Sequence, residues 1–284
     1  MGTNVNVFTT VPDMRALLDP ARANGQRVGM VGTSGSMHQG HLSLIRRSVA
    51  ENDLTALYWG GTAAFGWMTS QIEYSRDADR DFRLAEQAGC DLIFAPGNAE
   101  FFPREPMTKV SLPAISSGVG HLEDPAHLDL IAMVMCRLWN MFGSCRAYFG
   151  EKDWQQLAMY KRLADDLYYP VEVVGCPTVR EADGLAVSSR NSQLSSEERA
   201  DAPALYRALQ DCAEAARVGA STAIELEGVF ARSIGVSDRI RYFTAVEADT
   251  MAPLDKLQGS LRLLASIQLG SVRLLDNVGL DITD

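Results

Sequence analysis

Residues 27–45 read RVGMVGTSGSMHQGHLSLI, and the architecture of the chain follows from this stretch. A short apolar run (Val28, Met30, Val31) ends in a loop rich in Gly, Ser and Thr, and an amphipathic pattern begins at His41 with Leu42, Leu44 and Ile45. Strand, tight loop and helix start form the local architecture that sets backbone N–H groups and a positive dipole end against a phosphate. Gly35 and Gly40 reach backbone angles closed to other residues and let a ligand approach closely. His38 and His41 are three apart, so a helix that begins near them puts both on one face. Two imidazoles at a helix N-terminus suit stabilisation of charge on a transferring phosphoryl group. The same residues also read as a glycine-rich turn whose histidines bond only locally, and one such loop does not choose between the two. Zinc is disfavoured, because the pair lacks His-Glu-x-x-His spacing and no Cys or carboxylate cluster nearby completes a tetrahedron. No metal-ligating set is assigned to the chain.

Outward from this stretch, residues 11–23 read as a first helix, with Pro12 near its start and Gly25 past its end. LTALYW at 54–59 reads as a second buried strand, running into the small-residue loop at 60–66. A helix over 78–88 and a strand over 91–95 follow, then an irregular segment over 97–125 broken by Pro103, Pro106 and Pro113. Leu130, Met133, Val134, Arg137, Leu138 and Met141 keep helical spacing. A strand at 147–149, a helix over 153–167 and a strand at 171–174 complete an alternation that predicts an α/β fold, a Rossmann-like doubly wound parallel sheet. Ligands in such sheets lie beyond the carboxyl ends of strands, so the loops 32–41, 60–66 and 150–156 are expected to converge. After Pro177 the pattern changes to helices over 195–218 and 221–234, then antiparallel strands over 240–247, 261–269 and 272–275. This predicts a Rossmann-like domain over 1–177 and a smaller α+β domain over 178–284.

The chain has 284 residues and a net charge of −10. That length buries a real core, and the acidic balance argues against nucleic acid as a main partner. The five cysteines form no C-x-x-C pair and read as reduced, buried thiols of a cytoplasmic protein. No apolar run is long enough to span a bilayer, and no leader pattern opens the sequence, so no membrane association is expected.

Two further constellations carry chemistry. FGEKDWQQ at 149–156 ends a strand and opens a helix, placing Lys152 at the positive helix start and Gln156 four residues on, on the same face. The alternative is a solvated helix start, with Glu151 and Asp153 serving the dipole and Lys152 pointing outward. VREADGLAVSSRN at 179–191 supplies Ser188, Ser189 and Arg190, two hydroxyl donors and a permanent cation suited to a polyphosphate. It also reads as a polar interdomain loop in which Ser189 or Asn191 caps a helix. G-x-x-x-x-G-K-[ST] and G-x-S-x-G are both missing, which disfavours a P-loop nucleotidase and a serine hydrolase.

Taken together, His38-Gln39-Gly40-His41, FGEKDWQQL, PTVREADGLAVSSRN and the late LGSVRLLDN resemble the pantothenate synthetase family over nearly the whole chain. The resemblance implies a Rossmann-like ATP domain of nucleotidyl-transferase type, a C-terminal lid domain and a homodimer. It implies a ligase that uses ATP and Mg2+ to join a small carboxylic acid to a small amine through an acyl adenylate, releasing pyrophosphate and then AMP. Catalytic roles fall on His38, His41, Lys152 and Arg190. ATP-binding roles fall on Thr33, Gly40, Gly150, Lys152, Asp153, Val179, Ser188, Ser189 and Arg190. The acid is expected against Ser34, Ala64, Met133 and Gln156.

The departures from the family lie on the acid side. Its Pro-Thr-Met-Gly is Gly32-Thr33-Ser34-Gly35 here, so the Met that packs on the acid becomes Ser34. Its Asn-Pro-x-Gln-Phe becomes Gly61-Thr62-Ala63-Ala64-Phe65, with Ala64 in place of the Gln that grips pantoate. Its Arg-Pro-x-His-Phe-x-Gly-Val-x-Thr is DPAHLDLIAM at 124–133. Losing a polar partner for a buried substrate hydroxyl costs about 1–3 kcal/mol, so these changes predict an acid other than pantoate. The alternative is a divergent enzyme that still condenses pantoate with β-alanine.

Overall fold

The protein is described from a computed structural model over residues 5–61, 77–118, 125–235 and 237–282. Its elements run β1 (Asn6–Phe8), α1 (Val11–Ala23), β2 (Val28–Thr33), α2 (Gln39–Glu51), β3 (Leu54–Trp59), α3 (Ala78–Gln87) and β4 (Leu92–Phe94). Then come α4 (Asn98–Phe101), α5 (Pro113–Gly118), α6 (Pro125–Phe142), β5 (Cys145–Gly150), α7 (Trp154–Asp166) and β6 (Val171–Cys176). The rest is α8 (Ser196–Asp201), α9 (Ala204–Arg217), α10 (Ala223–Ile234), β7 (Ile240–Glu247), β8 (Gly259–Leu269) and β9 (Val272–Ile282).

The chain divides into two compact units. One comprises Met1–Ser111, Asp129–Gly150 and Tyr160–Pro177; the other comprises Leu112–Leu128, Glu151–Met159 and Thr178–Asp284.

In the first unit six strands form one parallel sheet in the order β1-β4-β3-β2-β5-β6. From β2 the chain winds outward through β3 and β4, then returns to the other side of β2 as β5 and β6. The switch point therefore lies between β2 and β5, where such sheets bind their ligands. Apolar residues fill both faces of the central strands, as covered parallel strands require, with Met30, Val31, Leu57 and Tyr148 at most 1% exposed. Helix α2 lies close on β2 because Gly29 has no side chain; a Cβ there would meet Ser48 Oγ at 2.0 Å.

The second unit carries the antiparallel sheet β7-β8-β9, whose apolar side packs with α9 and α10 around Leu205, Leu209, Phe230, Leu263 and Ile267.

The α/β, Rossmann-like class is as the sequence implies, and several boundaries differ. Strand β1 is too short and exposed to show a period, and it exists only by pairing with β4. The segment 97–125 contains the short helices α4 and α5. The single helix expected over 195–218 is two, because Pro203 separates α8 from α9 and cannot donate the backbone bond that continuity needs. Strand β9 runs to Ile282, past the polar pair Asp276-Asn277, which are 4% exposed each and bond to the half-buried Arg180 and Glu151.

Candidate active site

Thr33 ends β2, and Gly35 (φ +101°) and Ser36 (φ +53°) turn the chain toward α2. His38 is the N-cap of α2, so the helix begins two residues before the apolar pattern does. The two histidines close a reciprocal cap. Gly40 N–H donates to His38 Nδ1 (3.2 Å), and His38 N–H donates to His41 Nδ1 (3.3 Å). Serine or threonine with glutamate ordinarily fills these places. A ring nitrogen that accepts a backbone N–H carries no proton, so each neutral imidazole holds its proton on Nε2. His41 directs Nε2 at Thr33 Oγ1 (3.3 Å), an oxygen that also accepts Gly35 N–H (3.1 Å). The rings lie 4.1 Å apart. Burial first, then His38 beside it, pulls the His41 pKa down to about 3, which keeps this imidazole a neutral donor. Gly40 is required here: a Cβ would lie 2.9 Å from His38 Cε1.

Behind the loop stands Asp81 of α3, fully buried. It accepts Met37 N–H (2.8 Å), the Trp59 indole N–H (3.0 Å) and an Arg80 N–H (3.4 Å). The residue before His38 is thereby tied to the end of β3. No sequence signal marks Asp81, since RDADRDF reads as a solvated helix face.

Ser34 follows β2 in the same loop, half-buried, and Met133 is buried in α6 of the first unit. Ala64 lies outside the described residues, as does the loop 60–66 beyond Gly61. Gly150 ends β5, the strand beside β2.

In the second unit Glu151, Lys152 and Asp153 form a 3-10 turn ahead of α7. The Lys152 side chain is 17% exposed, so it does not point into solvent as a bare helix start would have it. Glu151 pairs with Arg262 (3.2 Å) instead of serving a helix dipole. Lys152 lines a cavity with Ser188, Arg190, Arg273 and Asp276, and a second one with Asp153, Gln156 and Tyr242. Ser188 caps the 3-10 turn Ser189–Gln193 by accepting Arg190 N–H, a place the sequence left to Ser189 or Asn191. Val179 accepts Val187 N–H at 2.9 Å, which brings the two ends of this segment together. Asp276, beneath the first cavity, takes Arg180 in a two-pronged pair, and the Arg180 guanidinium lies 3.5 Å over the Tyr206 ring. The Arg180–Asp276 pair carries no local sequence signal, because its partners are 96 positions apart.

No three His, Cys, Asp or Glu side chains converge on one point among the described residues. All five cysteines are buried, and none forms a disulfide. No helix among the described residues is long and apolar enough to cross a membrane.

The parallel order, the β2/β5 switch point and the imidazoles at a helix start put the protein in the class of Rossmann-like nucleotidyl-transferase folds. Within that class the chain belongs to the pantoate-β-alanine ligase family, whose profile matches residues 6–279. A pantothenate synthetase of Frankia alni is 41% identical over 281 residues, covering 95% of this chain and 96% of the relative. One from Cereibacter sphaeroides is 42% identical over 274 residues, covering 96% and 98%. A crystal structure of the Thermus thermophilus enzyme superposes with a TM-score of 0.87 at 38% identity, covering 96% of this chain and 99% of that one. The protein is an amide-forming, ATP-dependent ligase.

Proposed function

We propose that the protein condenses pantoate with β-alanine in two steps. The pantoate carboxylate attacks the α-phosphorus of ATP, forming an acyl adenylate and expelling pyrophosphate. The β-alanine amine then attacks the acyl carbon, the amide bond forms, and AMP leaves. The observation that carries this reading is the reciprocal cap, which leaves the proton of each imidazole on Nε2 at the start of α2, that of His41 directed at Thr33 Oγ1. Such donors strengthen as charge builds on the transferring phosphoryl oxygens. The depressed His41 pKa suits that role, because a neutral imidazole donates without a strong ground-state ion pair.

In this reading Lys152, Ser188 and Arg190 hold the phosphates, with Ser189 beside them. Thr33, Gly40, Gly150, Asp153 and Val179 complete the ATP site, and Ser34, Ala64, Met133 and Gln156 receive the acid. Mg2+ would arrive on the ATP phosphates and neutralise their charge, since the described residues build no dedicated cage. The reading also gives residues 1–177 to ATP and acid binding and residues 178–284 to a lid, in a cytoplasmic homodimer.

The choice of pantoate follows from the relatives, each named a pantothenate synthetase and matched end to end at 41–42% identity. The expectation of another acid rests on the departures at 32–35, 61–65 and 124–133, and the relatives give it no support. ATP–pyrophosphate exchange with purified protein and a panel of acids, without amine, tests this directly. Exchange with pantoate, followed by AMP release only when β-alanine is added, is the expected result. Exchange confined to another acid would overturn the pantoate assignment and leave adenylation standing.

A further inference from the structure

The turn that carries Lys152 is gripped by a residue far along the chain. Asn277 of β9, 4% exposed, donates its amide to two successive carbonyls, Glu151 O at 2.8 Å and Lys152 O at 2.9 Å. Its Oδ1 accepts from Arg262 at 3.1 Å, and because an arginine only donates, that bond fixes which end of the amide faces the turn. Arg262 also bonds the Glu151 carboxylate and lies flat over the Trp154 ring, 3.4 Å from its centroid. The Trp154 indole N–H in turn donates to Ala248 O at 2.9 Å. The backbone carbonyls of 151 and 152 are therefore held from β9, and the Trp154 side chain that follows is held by Arg262 of β8 and by the turn after β7. A lysine has a long flexible stem, so its ammonium is placed only as well as the backbone that bears it.

We propose that Asn277 is a positioning residue for the ATP half-reaction, acting through the Lys152 backbone to set where the ammonium meets the ATP phosphates. The inference rests on the reading of Lys152 as a phosphate contact. It assigns a role to Asn277, the residue that ends LGSVRLLDN.

The test is a double-mutant cycle of Asn277→Asp and Lys152→Ala, read by kcat/KM for ATP in pyrophosphate exchange. The aspartate keeps the size and the acceptor for Arg262 but turns an oxygen toward two carbonyl oxygens. N277D should lower kcat/KM for ATP by about 10- to 100-fold, the scale of an ångström-sized misplacement, with KM for the acid unchanged. K152A should lower it further, and the double variant should match K152A alone, because a residue acting through Lys152 has nothing left to position. Where exchange by K152A is too slow to read, ATP dissociation constants carry the same cycle. Wild-type ATP use by N277D, or a double variant whose loss is the product of the single losses, would overturn the proposal. A K152A variant that uses ATP normally would overturn the underlying reading of Lys152, and that single variant reports it separately. If N277D does not fold, Asn277→Ser, smaller and neutral, enters the same cycle with a smaller expected loss and the same non-additivity.

Discussion

The histidine loop and the Lys152 turn follow neighbouring parallel strands, β2 and β5, yet they are held in place by different means. The histidine loop is closed almost entirely by its own residues. Its bonds run mainly between positions 33 and 41, with remote support from α3, where Asp81 accepts Met37 N–H and Arg80 donates to Met37 O at 3.2 Å. The Lys152 turn makes no comparable internal cap, and its carbonyls are satisfied by Asn277, 125 and 126 positions away. A self-capped loop is a property of a short peptide motif, so its chemistry travels with its sequence. A turn held by distant side chains is a property of the folded unit, and its geometry is lost if the sheet behind it shifts.

Four experiments bear on this contrast. The largest effect is expected from His41→Ala, which removes the Nε2–H donor that the proposed mechanism turns to developing charge. Pyrophosphate exchange should fall by about 10²- to 10³-fold while ATP binding measured by calorimetry changes little. Equal losses in both would mean that His41 grips ground-state ATP.

Gly40→Ala asks whether the cap itself matters. The new Cβ lies 2.9 Å from His38 Cε1, so the ring must move, and exchange should fall by about 100-fold. Alanine also favours the helix by about 0.5–1 kcal/mol, so thermal unfolding should show no matching loss of stability. Full activity in this variant would detach the reciprocal cap from catalysis.

Asp81→Asn tests the support that the buried carboxylate of α3 gives the histidine loop. It leaves one good acceptor for Met37 N–H and the Trp59 indole, and should cost about 1.5–3 kcal/mol in denaturant unfolding. A neutral result would show that the loop does not depend on the Asp81 carboxylate.

The fourth effect is a pH dependence. The His41 pKa in the folded protein is about 3, below its ordinary 6.5. Below 6.5 the unfolded chain takes up a proton that the folded chain refuses, so this group's share of stability is intact above 6.5 and declines as pH falls toward 3. Denaturant titrations of the wild type and His41→Gln through that window should diverge, with the wild type losing more. Parallel curves would show that the imidazole is not shielded in the folded state.

Much of the parallel sheet was legible because buried parallel strands and amphipathic helices leave periods of their own. LTALYW is β3 from end to end, and α1 begins and ends where Pro12 and Asn24-Gly25 mark it. Strand β1 and the break at Pro203 were less legible: a three-residue edge strand has no period, and the helical pattern on either side of Pro203 reads through it. At the candidate site, the residue types of His38, His41, Lys152, Ser188 and Arg190 were readable because loop-and-helix-start motifs keep their chemistry within a few positions. Asp81 and Asn277 were not readable as parts of it. An acidic residue in a charged helix and an amide in a strand look like surface until a partner removes them from water.

The α/β class, the family and the side chains available for ATP chemistry were all set at the level of sequence, because each is written in patterns among residues near one another in the chain. Where those side chains are held was left to tertiary structure, because a buried carboxylate at 81 and a buried amide at 277 find their backbone partners only after the chain has folded and excluded water from both.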